Sequence, residues 1–370
     1  MKKVFFLFSI FLMSLFLAPH VHAQNRVLPP EPPQETYYKA TVVKILQEKI
    51  NEVNKTKNFT QTAQIKIVKG DEKNKIIQLT HQGVIKNDSS PLLTPGEQVI
   101  LVKSVTQNSI TYAVVDNYRL NSLIFIIIGF FILVVFIAGK KGFGSILGMI
   151  CSVVIILQFI VPQILKGQDP LLISIIGSLA IMILTMFLAH GINKKTGVAL
   201  VATAISLLLT GILSFLFVSF AHLSGMGSED TYLLQLGAAS INTKGLLLGG
   251  IIIGALGVLD DITTSQTAAV YEISHADKKL EFIDLIMRGY TVGKEHIASL
   301  VNTLVLAYAG ASLSLFILFI LNPLHQPYWV ILNSQMIAEE VVRTLAGSIG
   351  LVLAVPITTV LAARTAKKQA

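Results

Sequence analysis

The strongest constraint in this chain is the stretch from Lys244 to His275, KGLLLGGIIIGALGVLDDITTSQTAAVYEISH. Its first half has the apolar character of a membrane-spanning helix, and two adjacent carboxylates, Asp260 and Asp261, stand in its middle. No proline or glycine occurs between Asp260 and His275, so nothing in the sequence stops the helix at the acidic pair. At roughly 1.5 Å per residue, one helix over the whole stretch is longer than the hydrocarbon core of a bilayer, roughly 30 Å. The pair then lies near mid-membrane, where acidic residues face a bundle interior or a water-filled path. A helix ending near Leu259 would instead leave the pair as a polar helix end at the membrane interface.

Helical periodicity sorts the stretch into faces. Gly250, Gly254 and Gly257 share one stripe, which continues through Asp261, Ser265, Ala268 and Glu272. Small residues at that spacing let a second helix approach closely, so these glycines are expected to pack and Asp261 to point into a helix–helix contact. Asp260 lies about 100° around the helix, in line with Thr264, Thr267 and Tyr271. The polar run Thr263 to Thr267 can hydrogen-bond a carboxylate or carry a wire of waters. Two carboxylates side by side in a low dielectric do not both ionise readily, which makes the pair a candidate proton or ion site.

Composition supports the membrane setting. Of 370 residues, 53% are hydrophobic and 14% charged, and the apolar residues come in blocks of about 20. Spans are expected at 120–138, 143–165, 170–190, 198–220, 245–268, 297–321 and 337–363. The formal charge of +8 falls largely at the ends of these blocks, where the positive-inside rule places it, so no nucleic-acid partner is required. Lys140, Lys141, Lys194, Lys195, the group Lys278 to Lys294 and the tail with Arg364 then mark the cytoplasmic side. Seven spans with the C-terminus in the cytoplasm of a bacterial inner membrane are expected. Cys151 lies in an apolar run and reads as packing.

Ahead of the spans, residues 1–23 read as a secretory signal: Lys2 and Lys3, a short apolar core, Pro19, then Val21-His22-Ala23. Cleavage and retention as an anchor both place the next segment outside the cytoplasm. A Pro-rich spacer occupies 24–35. Residues 36–118 carry five β-type runs, at 37–45, 61–68, 75–82, 98–105 and 110–115, which suit a small barrel of the OB type. Tyr37, Tyr38, Tyr112 and Tyr118 form no evident cluster with lysines, so a structural or protein-docking module is expected over a ligand-binding one.

Within 119–364, the segment Leu280 to Arg288 reads as an amphipathic helix along the inner surface. It leads to a span carrying Asn302, the expected polar neighbour of the aspartates. In the last span Glu339 and Arg343 suit a local i, i+4 pair, with Arg343 as a counter-ion for the aspartates the other possibility. Gly347, Gly350 and Ala354 form a second small-residue face, and Pro356 is expected to kink the helix. His190, His275 and His296 sit near membrane boundaries without metal-ligand spacing. No phosphate loop, dinucleotide fingerprint or nucleophile triad occurs, so no catalytic residue, cofactor or metal is assigned.

The string GALGVLDDITTSQTAAVYEI, the long connection after it and LVNTLVLAYAGASLSLFIL closely resemble YibE/F-like bacterial membrane proteins, from about Leu120 to the C-terminus. The resemblance implies a membrane location but no activity. A weaker one, to the proton-coupled half of RND transporters and of SecD/SecF, rests on the order of a Gly-rich helix, Asp-Asp, a later Glu, an amphipathic segment and an Asn-bearing helix. It implies a six-helix core, with Asp260 and Asp261 as coupling carboxylates and Glu272 as an acid at the helix end. It also implies a second half, supplied by another copy or by a related membrane subunit. On this reading the chain is an ion-coupled transporter or export-associated energy transducer of unknown substrate. The competing reading is a receptor or scaffold whose exported domain docks a partner.

Overall fold

The computed structural model describes residues 34–53, 56–85, 92–106, 109–237, 241–322 and 325–368. The expected leader at 1–23, nearly all of the spacer at 24–35 and the last two residues of the tail lie outside them. The chain divides into two compact units, one ending at Leu133 and the other running from Val134 to Ala370.

The first unit is an antiparallel sheet of β1 (Gln34–Val53), β2 (Thr56–Lys69), β3 (Ile76–Ile85), β4 (Gln98–Thr106) and β5 (Ser109–Asn117), in the order β3-β2-β1-β4-β5. Alternation decides which face is inside: Ala63, Ile65 and Ile67 are buried while Lys66 faces out, and Val99 and Leu101 repeat the pattern. β1 serves both halves, pairing with β4 from Gln34 to Thr41 and with β2 from Lys39 onward. Register shifts between Val42 and Gln47 bend it between the two partners. The result is nearly a closed barrel around Tyr38, Ala40, Val42, Ile65, Ile67 and Leu101.

A polar cluster ties the β2–β3 turn to β4 and β5. Glu72 accepts from Lys103 Nζ (2.5 Å), Lys75 Nζ (2.9 Å) and Tyr112 Oη (2.8 Å), and Lys75 also donates to Tyr112 Oη at 3.0 Å. Tyrosines and lysines therefore do meet, contrary to the sequence expectation: Lys75 also stands over the Tyr112 ring, and Lys39 lies 3.8 Å from the Tyr118 ring centre. Strand pairing brings together residues far apart in the chain.

The second unit is helical. After α1 (Leu120–Ile155), which breaks at Gly139 (φ 57°), come a π-helical turn at Ile156–Ile160 and α2 (Val161–Leu165). Next come α3 (Pro170–His190), α4 (Lys194–Phe220), α5 (Glu229–Gly237), α6 (Thr243–Ala276), α7 (Phe282–Ala311), α8 (Leu313–Leu321), α9 (Tyr328–Leu332) and α10 (Gln335–Lys367). Side-chain caps fix three starts: Asp169 accepts from Leu172 N, Asn193 from Thr196 N and Asn242 from Gly245 N. Five stretches are long and apolar enough to cross a membrane, or six if α7 and α8, bent by 64°, count as one. The first two expected spans fall in a single 46-residue run broken at Gly139, and the expected span 297–321 is broken at Ser312.

α6 is central, packing against α3, α4, α7 and α10. Its continuous course through the aspartates is as the absence of breakers implies. The glycine expectation on α6 is corrected. Gly250, Gly254 and Gly257 face open space, whereas Gly249, one residue away, meets Ser174 of α3. The bulky Ile251, Ile252, Leu256, Leu259 and Ile262 fill the core, so the glycine stripe is turned outward. On α10 the small-residue face does pack: a Cβ at Gly350 would collide with the Thr210 side chain of α4, and Ala354 is fully buried. Gly347 approaches the Tyr308 hydroxyl only at ordinary contact distance. α10 runs through Pro356 as one helix. Arg343 pairs with Glu340 (2.8 Å), not with Glu339 or the aspartates. Glu339 is buried and accepts from Gly227 N and Gln335 Nε2. The Leu280 to Arg288 segment is no separate helix: α7 starts within it, at Phe282, and runs on to Ala311.

This packing makes the two glycine faces unequal. Gly350→Ala is expected to cost about 1–3 kcal/mol, while Gly254→Ala is neutral or gains up to about 1 kcal/mol from helix propensity. Thermal unfolding of the detergent-solubilised proteins checks the contrast. In the barrel, hydrogen bonds from Lys103, Lys75 and Tyr112 hold the Glu72 carboxyl down at about 2, below its ordinary 4.5. A lowered folded-state value stabilises the fold above the unfolded value, and the gain is lost as pH falls through the folded one. Amide-exchange protection in β3 and β5 is therefore expected to fall between about pH 4.5 and 2, and Glu72→Gln to remove most of that acid sensitivity.

Candidate functional site

The buried side of α6 changes character along its length. From Thr243 to Leu259 it is mostly aliphatic, and from Asp260 onward it presents polar groups to three neighbouring helices. Thr263 shares a hydrogen bond of 2.6 Å with Thr203 of α4. Gln266 donates to the Gly289 carbonyl of α7 and to Thr359 Oγ1 of α10, both at 2.8 Å. Tyr271 donates to Thr365 of α10 at 3.0 Å. These bonds fix the rotation of α6, because an unpaired polar group in such a core costs more than any one bond returns.

That rotation decides the roles of the two carboxylates. Asp260 is half-buried against α3, and its Oδ2 accepts from Thr185 Oγ1 at 3.3 Å. Its Oδ1 is buried without a partner. Asp261 is a correction to the sequence expectation: it lies on the outer face with the glycines rather than inside a helix contact, and it faces His190 electrostatically. Ser265 stands on the same outer face and donates to the Asp261 carbonyl. The residues share a stripe as their spacing implies, but that stripe is not the one turned toward the bundle.

The other predicted members separate. Thr264, one turn from Asp260, keeps its place, and its buried hydroxyl is unpartnered. Asn302 does not join the site. It is exposed and hydrogen-bonds to neither aspartate, because the buried residues of α7 (Leu285, Gly289, Gly293) all lie in its first half. Glu272 is at the helix end, in an ion pair with Lys195 (2.9 Å). Among the described residues no group of three His, Cys, Asp or Glu side chains is arranged to hold a metal.

A cavity of about 300 Å³ opens next to this polar end. Its walls include Lys141, His190, Asn193, Lys195, Thr264 and Thr267, so it joins the basic ends of α3 and α4 to the stripe that bears Asp260. Toward the opposite end of α6 the surroundings are apolar, and the cavity there, about 250 Å³, is lined by Ile175, Leu179, Leu207 and Ile252 without a charged residue. Ile181, Met182, Ile252, Leu256 and Leu259 are all buried, and beyond them Ser178 is fully buried with an unpartnered hydroxyl. Asp260 thus stands between a polar cavity, one helical turn away at Thr264, and an aliphatic layer. Thr185 could have been found in the sequence, since Ser174, Ser178 and Thr185 share one face of α3. The cavity's basic residues come from three separate segments, and no local signal groups them.

Fold and site together define a bundle of apolar helices with a polar internal seam, carried with a small β-barrel-like unit. The chain belongs to the YibE/F-like protein family, which matches residues 126–368. No curated protein and no solved structure matches it.

The aliphatic layer has a direct test. In a Cys151→Ser background, Thr264→Cys is expected to react rapidly with a charged thiol reagent and Ser178→Cys at least about a hundredfold more slowly. Mass spectrometry of the intact protein reads both rates. Equal rates would mean that the aliphatic layer does not exclude water.

Proposed function

We propose that this is a multi-pass protein of a bacterial cytoplasmic membrane, acting as a proton- or cation-coupled transporter or an export-associated energy transducer. Asp260 is the titrating group. The observation that carries the reading is its placement: a carboxylate with one oxygen bonded to Thr185 and the other buried without a partner, one helical turn from a polar cavity lined by Thr264. An acidic group so placed costs folding free energy that an anchor has no reason to bear.

Topology is argued from length and charge. At 1.5 Å per residue the 46-residue run of α1 to α2 would extend about 69 Å, more than twice a hydrocarbon core of about 30 Å. We therefore read two spans, turning at Gly139 beside Lys140 and Lys141, and seven in all. The same side carries Lys194, Lys195, Lys278 and Lys367, and we assign it to the cytoplasm. The barrel, of the OB type on this reading, is then extracytoplasmic. The likeness to the RND and SecD/SecF core supports the coupling role, and the outward glycine stripe of α6 suits a second copy or a related subunit as the missing half.

Proton flux in proteoliposomes, read with a pH-sensitive dye under an imposed gradient, tests the assignment. Asp260→Asn is expected to lower flux by about a hundredfold and Asp261→Asn by much less. Undiminished flux in Asp260→Asn would end this reading.

A further inference from the structure

The walls of the cavity are basic as well as polar. Lys141, from the turn after Gly139, makes no ion pair among the described residues. Lys195 also lines the space and is matched by Glu272 at 2.9 Å. At the start of α4, Asn193 takes up the Thr196 N–H through its side chain and the Gly197 N–H through its carbonyl. No such acceptor serves the amides of Lys194 and Lys195 among the described residues, so the positive end of a 27-residue helix adjoins the cavity wall.

Independent of these charges, Thr267 is only 1% exposed, yet its hydroxyl has no partner and the residue lines the cavity. The buried, unpartnered hydroxyl of Thr264 lies beside it. Buried hydroxyls left unpaired among protein groups are completed by something that enters the space. The volume, about 300 Å³, exceeds the roughly 30 Å³ share of one water and admits a molecule of several heavy atoms.

We propose that this cavity is a binding site for a small oxyanion, of which phosphate is the simplest case. Lys141 and the first amides of α4 neutralise the anion, and Thr267 and Thr264 donate to its oxygens. A cation fits less well. The one carboxylate that lines the space, Glu272, is already paired, and Asp260 lies a turn further in. This inference rests on the transport reading for its meaning, as it names the class of solute that would travel with the ion, but its test reads binding and not flux.

Equilibrium dialysis of the full-length protein in neutral detergent against radiolabelled inorganic phosphate is the measurement. Saturable binding is expected, weakened about tenfold or more by Lys141→Gln and by Thr267→Val and kept by Thr267→Ser. Asp260→Asn, which removes a like charge near the site, is expected to bind as tightly as the wild type or more so. No saturable binding overturns the proposal. Binding untouched by Lys141→Gln and Thr267→Val, or weakened by Asp260→Asn, overturns it as well. Nanodiscs distinguish the source of the anion. If phosphatidylglycerol discs abolish phosphate binding that phosphatidylcholine discs preserve, the site takes a lipid headgroup; equal binding in both identifies the free anion. Flux that depends on Asp260 without phosphate binding would sink this inference and leave the transport reading standing, and the opposite result would do the reverse.

Discussion

The helical unit depends on how α6 satisfies its polar residues. A helix that carries Asp260, Asp261, Thr263, Thr264, Gln266 and Thr267 among aliphatic neighbours has few acceptable rotations. In the one adopted, Gln266 reaches both Gly289 and Thr359, Thr263 meets Thr203, and Tyr271 meets Thr365. Those contacts join α6 to α4, α7 and α10, so the geometry of four helices is set by one seam. Close approach at Gly249, Gly293 and Gly350 brings the helices near enough for these short side chains to touch.

The asymmetry of the acidic pair is a consequence of the seam. Neighbours on a helix point about 100° apart, so a rotation that turns Gln266 and Thr267 inward leaves Asp260 at the edge of the core and Asp261 outside. Only one of the two can be held by α3. The aliphatic layer of Met182, Leu256 and Leu259 ends just where the polar residues begin, and the change from layer to cavity occurs within two helical turns. The step from an aliphatic layer to a polar cavity arises from the order of residues along a single helix.

The β unit reaches closure by different means. Its apolar interior is small, and a charged cluster at Glu72, with two lysines and a tyrosine drawn from different parts of the chain, ties the β2–β3 turn to β4 and β5.

Much of this is legible in the residues themselves. The five strands, the apolar helices, the course of α6 through its aspartates and the common stripe of Asp260, Thr264, Thr267 and Tyr271 come from periodicity and from where breakers are absent, both local properties. The meeting of β1 and β2 at Val53 and Thr56 is less well marked, since neither glycine nor proline signals it, and the α7 break at Ser312 has only Gly310 near it. Hidden from the sequence are which helical face turns inward, which acid Arg343 chooses, and the meeting of Lys141, His190 and Lys195 around one cavity. Sequence period fixes the angle between side chains on one element, and that is why the stripes are readable. It contains no information about the neighbour each stripe will meet. The bulk of Ile251, Ile252 and Leu259 on one side, weighed against bare glycine on the other, decided that only when the helices packed.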